Sequence, residues 1–327
     1  MTHVPSLTLN NGVKIPAVGL GGGTYHPAER AVAKDWFLTA LEAGYRLVDV
    51  AQIYGKCTAT TGLTHETYLP SLETEEALGQ AIKASGIPRE ELFITTKIPA
   101  GHHSRVVESF QESLKNLALD YVDLYLIHWP FPFEYEEGEF YPKHPDGSIK
   151  LAKSPSFVEL WAEIEKLLDT GKVRAIGVCN FSIKNLEILL KSAKVVPAVN
   201  QFELHPYLAQ TELVEYCKRK GIVVEAYTPT GYQKVLADPT INELAVKYSV
   251  SAAQVVLAWH LACGCIPIPK SSNKDRQNYI DGWVEQLPTL EPSDIIKISA
   301  LDKGERICAK LDENGTLFGA TAEQLGW

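Results

Sequence analysis

Eight apolar runs of strand length recur along this chain, near 17–21, 46–51, 92–97, 122–128, 173–179, 198–203, 222–227 and 264–269. Helical patterns fall between them, near 30–43, 73–85, 104–118, 156–170, 183–193, 210–220 and 240–247, with another at 251–262. Asp238-Pro239 and Ser249-Val-Ser251 offer N-cap side chains for the last two helices. This regular alternation, without a break in composition, predicts a (β/α)8 TIM barrel in a single domain over residues 1–327. Ahead of it, Leu7 to Pro16 reads as an N-terminal β-hairpin turning at Asn11-Gly12, a strong two-residue turn signal.

The ends of these runs carry the chemistry. Val122-Asp-Leu-Tyr-Leu-Ile-His-Trp-Pro130 delivers His128 and Trp129 into a loop, and a buried strand has no reason to end in an imidazole unless that end faces a site. The run at 46–51 ends near Asp49 and Tyr54, and that at 92–97 ends on Lys97. The runs at 173–179 and 222–227 close on Asn180 and Tyr227. Reactive groups at the carboxyl ends of successive parallel strands mark the active face of such a barrel. Three segments fall outside the repeat: the polar insert 55–72, the Pro-, Phe-, Tyr- and Glu-rich stretch 131–155, and the tail from 283. Two of them leave the carboxyl ends of strands, which predicts long loops at the C-terminal face acting as lids.

Composition excludes several classes. With 40 acidic and 31 basic residues and a formal charge of −9, the chain lacks the concentrated basic face of a nucleic-acid binder. Its apolar stretches are too short to span a membrane, and Met-Thr-His-Val-Pro-Ser at the start is no secretory signal. The expectation is a cytoplasmic protein. The six cysteines (57, 179, 217, 263, 265, 308) form no disulfide framework, and Cys263-Gly-Cys265 reads as plain buried or half-buried thiols. His102-His103 reads as a surface loop rather than a metal pair, so no metal site is expected.

Tyr54, Lys97, Asp49 and His128 form a coherent chemical set. A phenol serves as an acid near neutral pH only if its phenolate is stabilised, since its free pKa is about 10. A neighbouring ammonium does this, a carboxylate beyond it holds the ammonium charged, and an imidazole orients a carbonyl oxygen. That equipment protonates an oxygen as it gains negative charge, as when hydride adds to a carbonyl. Blander roles suit other polar residues: Asp123 as a structural partner, Glu203 and His205 as framework, Trp259 as core.

Over nearly its whole length the chain resembles the aldo-keto reductases. The motifs are Gly44-Tyr-Arg-Leu-Val-Asp-Val-Ala-Gln-Ile-Tyr-Gly55, Leu117 to Pro130, Gly171 to Phe181, Val199-Asn-Gln-Phe-Glu-Leu-His-Pro206 and Ile268-Pro-Lys-Ser271, in family order. The resemblance implies a catalytic tetrad of Asp49, Tyr54, Lys97 and His128, and a nicotinamide cofactor across the barrel mouth. Asn180 and Gln201, with Cys179 beside them, match the carboxamide contacts; Tyr227 matches the ring stacked on the nicotinamide, and Thr24 and Asp49 the ribose side. Lys270, Ser271 and Arg276, at the start of a short helix, match the grip on a 2′-phosphate, so NADPH is implied over NADH. The sequence itself offers neither usual nucleotide fingerprint, because Thr24 stands where Gly19-Leu-Gly-Gly-Gly23 would need its third pattern glycine.

The departures from the family pattern bear on substrate. Cys179 replaces the usual serine beside Asn180, Tyr25 stands near the place of a pocket Trp, and Gln277-Asn278-Tyr279 alters the adenine side. The glycine-loop and Tyr25 differences, with Glu225-Ala-Tyr-Thr-Pro-Thr-Gly231, resemble the fungal branch acting on conjugated polyketones, α-keto amides and lactones. They imply a compact activated ketone or aldehyde held by Tyr25, Tyr54, His128 and Trp129. The family implies a monomer, a dimer being the alternative, with a small carbonyl compound as its only partner. The alternative function is a cofactor-binding sensor with little turnover, a class the family includes among channel-associated subunits.

Overall fold

The computed structural model describes residues 5–24, 27–55, 73–272 and 287–327. Eight parallel strands form one sheet in chain order: β3 (Gly19–Gly21), β4 (Leu47–Asp49), β5 (Phe93–Ile98), β6 (Val122–Ile127), β7 (Val173–Cys179), β8 (Val199–Glu203), β9 (Val223–Tyr227) and β10 (Cys265–Pro267). The seam between the first and last closes through the Gly21 amide, which donates to the Pro269 carbonyl at 2.9 Å. Only glycine permits that approach at Gly19, where a Cβ would stand 2.6 Å from Leu47 and 2.9 Å from Ile268. The molecule is a (β/α)8 barrel.

Its strands are almost wholly buried, Arg174 being the exposed exception, because helices cover the outer face and side chains fill the interior. Inside, Leu47, Phe93, Leu124, Leu126, Val199 and Ile266 pack together with Leu9 and Ile15 from the N-terminal hairpin, β1 (Ser6–Thr8) and β2 (Lys14–Pro16). Asn10 and Asn11 tie that hairpin to the carbonyls of Pro197 and Arg174, beside the starts of β8 and β7. The hairpin therefore plugs the amino end of the barrel, and the carboxyl end is left open for a site.

Helix boundaries follow local chemistry. Ser156 caps Phe157–Leu167 and Ser251 caps Ala252–Ala262, each in a reciprocal capping box. Asp238 accepts from the Thr240 amide ahead of Pro239–Tyr248, with the proline in the first turn. Ser249 does not cap the following helix; it ends the preceding one in the left-handed conformation, at φ 56°.

A further expectation needs correction. His102 and His103 are not on the surface: both are buried, in the short turn that follows β5. His102 Nδ1 bonds Ser109 Oγ at 3.0 Å, and its ring meets those of Tyr135 and Phe140. Burial and the neighbouring His102 press the His103 imidazole down to about 3, so it is neutral. Tyr135 and Phe140 of segment 131–155 pack on His102, a tertiary effect invisible in the dipeptide. Segment 131–155 is ordered and sends Tyr141 to the cleft at the carboxyl end of the barrel. It folds back through bridges between Phe133 and Leu151 and between Lys143 and Ile149, and buries Phe131, Phe133 and Phe140.

Candidate active site

Asp49 is the last residue of β4 and Lys97 lies near the end of β5, the next strand in the sheet. Both are buried, at 2% and 0% exposure. A buried ammonium is tolerable only if each proton finds an acceptor. Lys97 Nζ meets this condition: it donates to Asp49 Oδ1 at 2.5 Å, to the Val50 carbonyl at 3.1 Å and to Tyr54 Oη at 3.1 Å. The other carboxylate oxygen of Asp49 accepts from Gln201 Nε2 at 2.9 Å. Tyr54 carries the ammonium's contact into the cleft, where its ring stands edge-on to His128 with centroids 5.6 Å apart.

His128 follows β6 directly. Burial, Lys97 and His103 hold its imidazole well below the ordinary histidine value. It is therefore neutral at physiological pH and carries one N–H donor.

Beside this group lies an amide cluster. Asn180 adopts φ 64°, a left-handed conformation that asparagine tolerates better than most residues. That turn lets Asn180 Nδ2 donate to the His128 carbonyl at 3.0 Å and to Cys179 Sγ at 3.2 Å, while Oδ1 accepts from Tyr227 Oη at 2.8 Å. Gln201 Nε2 bridges Asp49 and Glu225, the latter at 2.8 Å. With its donor side committed to two carboxyls, the Gln201 carbonyl faces Cys179 Sγ at 3.8 Å, a weak contact. Burial pushes the Cys179 thiol upward, so it remains a neutral, poor donor.

These residues line a cleft of about 480 Å³ at the carboxyl end of the barrel. One side is apolar, formed by Ile53, Trp129, Tyr141, Leu317 and Phe318. The Trp129 and Phe318 rings meet edge to face with centroids 5.6 Å apart. The other side runs over Gly21, Gly23, Thr24 and Glu29 to Lys270. The tail reaches the cleft because buried Glu203 accepts the Ile307, Cys308 and Ala309 amides at 2.5, 2.9 and 2.9 Å, with His205 Nε2 at 3.1 Å. Burial opposes that charge, but His205 and the three amides outweigh it and hold the Glu203 carboxyl below its usual range.

Asp49, Tyr54, Lys97, His128, Trp129, Thr24, Cys179, Asn180, Gln201, Tyr227 and Lys270 all meet at this cleft or directly beneath it. Ser271 follows Lys270 in the chain. Tyr25, Arg276, the helix expected after Lys270, Gln277-Asn278-Tyr279 and the 55–72 insert beyond Gly55 lie outside the described residues. Sequence reasoning missed Glu29, Glu225, Tyr141 and Phe318. Glu225 carried a signal, a carboxylate inside an apolar strand run; Glu29 carried none.

A (β/α)8 barrel whose mouth gathers a buried carboxylate–ammonium pair, a phenol and a neutral imidazole has the make-up of an oxidoreductase. The chain belongs to the aldo/keto reductase family, whose description matches residues 17–302. It is 43% identical over 280 residues to a glycerol 2-dehydrogenase (NADP(+)) of Saccharomyces cerevisiae, covering 83% of each chain. An aldehyde reductase from the same yeast is 39% identical over 313 residues, 91% of each. A glyoxal reductase of Bacillus subtilis is 37% identical over 311 residues, 94% of this chain and 96% of that one.

Proposed function

We propose that this chain is a single-domain, monomeric, cytoplasmic carbonyl reductase that uses NADPH and a Tyr54 acid to convert ketones or aldehydes to alcohols. The observation that carries this reading is the Lys97 ammonium, which touches Asp49 and Tyr54 Oη at once beneath the cleft. A nicotinamide cofactor supplies the hydride that adds to the carbonyl carbon. Tyr54 Oη gives its proton to the oxygen as negative charge builds there, and Lys97 stabilises the phenolate that results. Asp49 keeps the ammonium charged and fixed, and neutral His128 orients the carbonyl through its N–H.

The residues present fit the cofactor. The under-satisfied Gln201 carbonyl and the remaining lone pair of Asn180 Oδ1 suit a carboxamide, and Tyr227 offers a ring beside them. Thr24 and Asp49 stand on the ribose side, while Lys270, Ser271 and Arg276 supply donors for a 2′-phosphate. The apolar wall of Trp129, Tyr141 and Phe318 suits a compact activated substrate: an α-keto lactone, a diketone, an α-keto amide or an aldehyde. Glycerol and glyoxal, in the names of two relatives, are compact molecules as well.

The test follows NADPH oxidation at 340 nm with an aromatic aldehyde, an aldose, an α-keto lactone and a diketone, with NADH in parallel. Turnover of the keto lactone or diketone with NADPH alone is expected. Tight NADPH binding with no reduction across the panel would instead favour the cofactor-sensor reading.

A further inference from the structure

Glu29 sits in the short helix α1 (Pro27–Ala31), and its carboxylate reaches across the barrel seam. Its Oε2 accepts from Thr24 Oγ1 at 2.9 Å and is ion-paired with Lys270 Nζ; its Oε1 accepts from Ser272 Oγ at 2.9 Å. Thr24 follows β3, while Lys270 and Ser272 follow β10, so three donors from both sides of the seam converge on one anion. Partial burial opposes the charge, yet the hydrogen bonds from Lys270, Ser272 and Thr24 hold the carboxyl below its usual range. At neutral pH the group is an anion in place, lining the same cleft as Thr24 and Lys270.

Thr24 and Lys270 are the donors that the proposed function gives to the cofactor. A phosphoryl oxygen would need the Lys270 protons that Glu29 holds, and two anions cannot share them without mutual repulsion. The geometry points to Glu29 as an internal counter-anion that occupies the seat of a cofactor phosphate and must swing away for the cofactor to bind. The move is local, since Glu29 is half-exposed and has three side-chain torsions. In the free protein the carboxylate keeps Lys270 oriented and the seam tied. In the complex its displacement weakens retention of the phosphate and speeds cofactor release, a step that limits turnover in many enzymes. This inference rests on the reading that a phosphorylated nicotinamide cofactor binds here.

The experiment measures dissociation constants and release rates of NADPH and NADH, by quenching of intrinsic fluorescence, in wild-type protein, Glu29→Gln and Glu29→Asp. Glutamine keeps one oxygen acceptor for one of the Thr24 and Ser272 hydroxyls, and its amide N–H can donate to the other; a melting curve checks that the fold is preserved. Glu29→Gln is expected to bind NADPH about tenfold more tightly, with slower release, while Glu29→Asp retains the wild-type penalty. Tightening confined to NADPH places the displaced anion at the 2′-phosphate; equal tightening of NADH places it at the pyrophosphate. Unchanged or weaker binding in Glu29→Gln overturns the inference. If neither cofactor binds the wild-type protein, the proposed function itself fails, which is a separate result.

Discussion

Asp49 and Asp123 are both almost completely buried aspartates in parallel strands of one sheet, and they do different things. Asp123, near the start of β6, accepts from Arg89 and Arg174 at 2.7 Å each and from the Ile94 amide at 2.8 Å. Both arginines extend toward water, with side chains 18% and 44% exposed. Asp49, at the end of β4, is paired with a lysine of 0% exposure whose last proton points to a phenol in the cleft. The first cluster is closed, because every strong contact ends on framework. The second opens onto the cleft, which Tyr54 and Asp49 both line. Position along the strand therefore separates the two: the amino end of the barrel serves stability and the carboxyl end chemistry.

Glu225 extends the comparison to a third buried carboxyl, one without a cation of its own. Gln201 bonds one oxygen, and the other has no partner among the described residues. Burial first, and then the Asp49 charge, push its carboxyl upward. A closed cluster, an open one and an uncompensated one thus lie within a single barrel.

The largest expected effect breaks the open cluster. Tyr54→Phe should lower kcat by about 10²- to 10⁴-fold, the usual worth of a positioned acid, with the melting temperature and NADPH affinity nearly unchanged. Near-normal turnover in this variant would show that the acid is another group. The opposite pattern is expected at the closed cluster. Asp123→Ala should destabilise the fold by about 3 kcal/mol, the low end for breaking a buried pair because both arginines can reach water. Denaturant titration reads this change, and kcat at low temperature should hold.

Glu225 gives an effect spread over a range of pH, with a definite sign. Its folded-state pKa is raised, so the folded protein holds a proton that the unfolded chain releases above its ordinary value of 4.5. Its contribution to stability is full below that pH and is lost as pH rises through the raised value, by at most about 1.4 kcal/mol per pH unit. Glu225→Gln should remove this decline, and an unaltered pH–stability curve would disprove the assignment. The smallest effect sharpens the closed cluster: Arg174→Ala should cost about 1 kcal/mol or less, since Asp123 keeps Arg89 and the Ile94 amide.

Much of this was legible in the chain. The eight strands fall where the apolar runs predicted them, because a strand buried on both faces must be apolar throughout. The site residues were legible for a related reason. Asp49, Lys97 and His128 are costly to bury, and each sits at the end of an apolar run. The His102-His103 pair was misplaced because the rings that pack on His102, Tyr135 and Phe140, come some thirty residues later in the chain. Glu29 was missed because its partners, Lys270 and Ser272, stand beyond residue 269 and meet it only where the barrel closes.

The sequence by itself determined the periodicity, and with it the barrel and the face on which reactive side chains collect. Only the tertiary structure decided which charges meet: Asp49 with Lys97, Asp123 with two arginines, Glu29 with Lys270, and Glu225 with no ion-pair partner among the described residues. The physical reason is range. Hydrophobic periodicity is a local property of consecutive residues, whereas an ion pair depends on distances of a few ångströms that closure of the whole sheet sets.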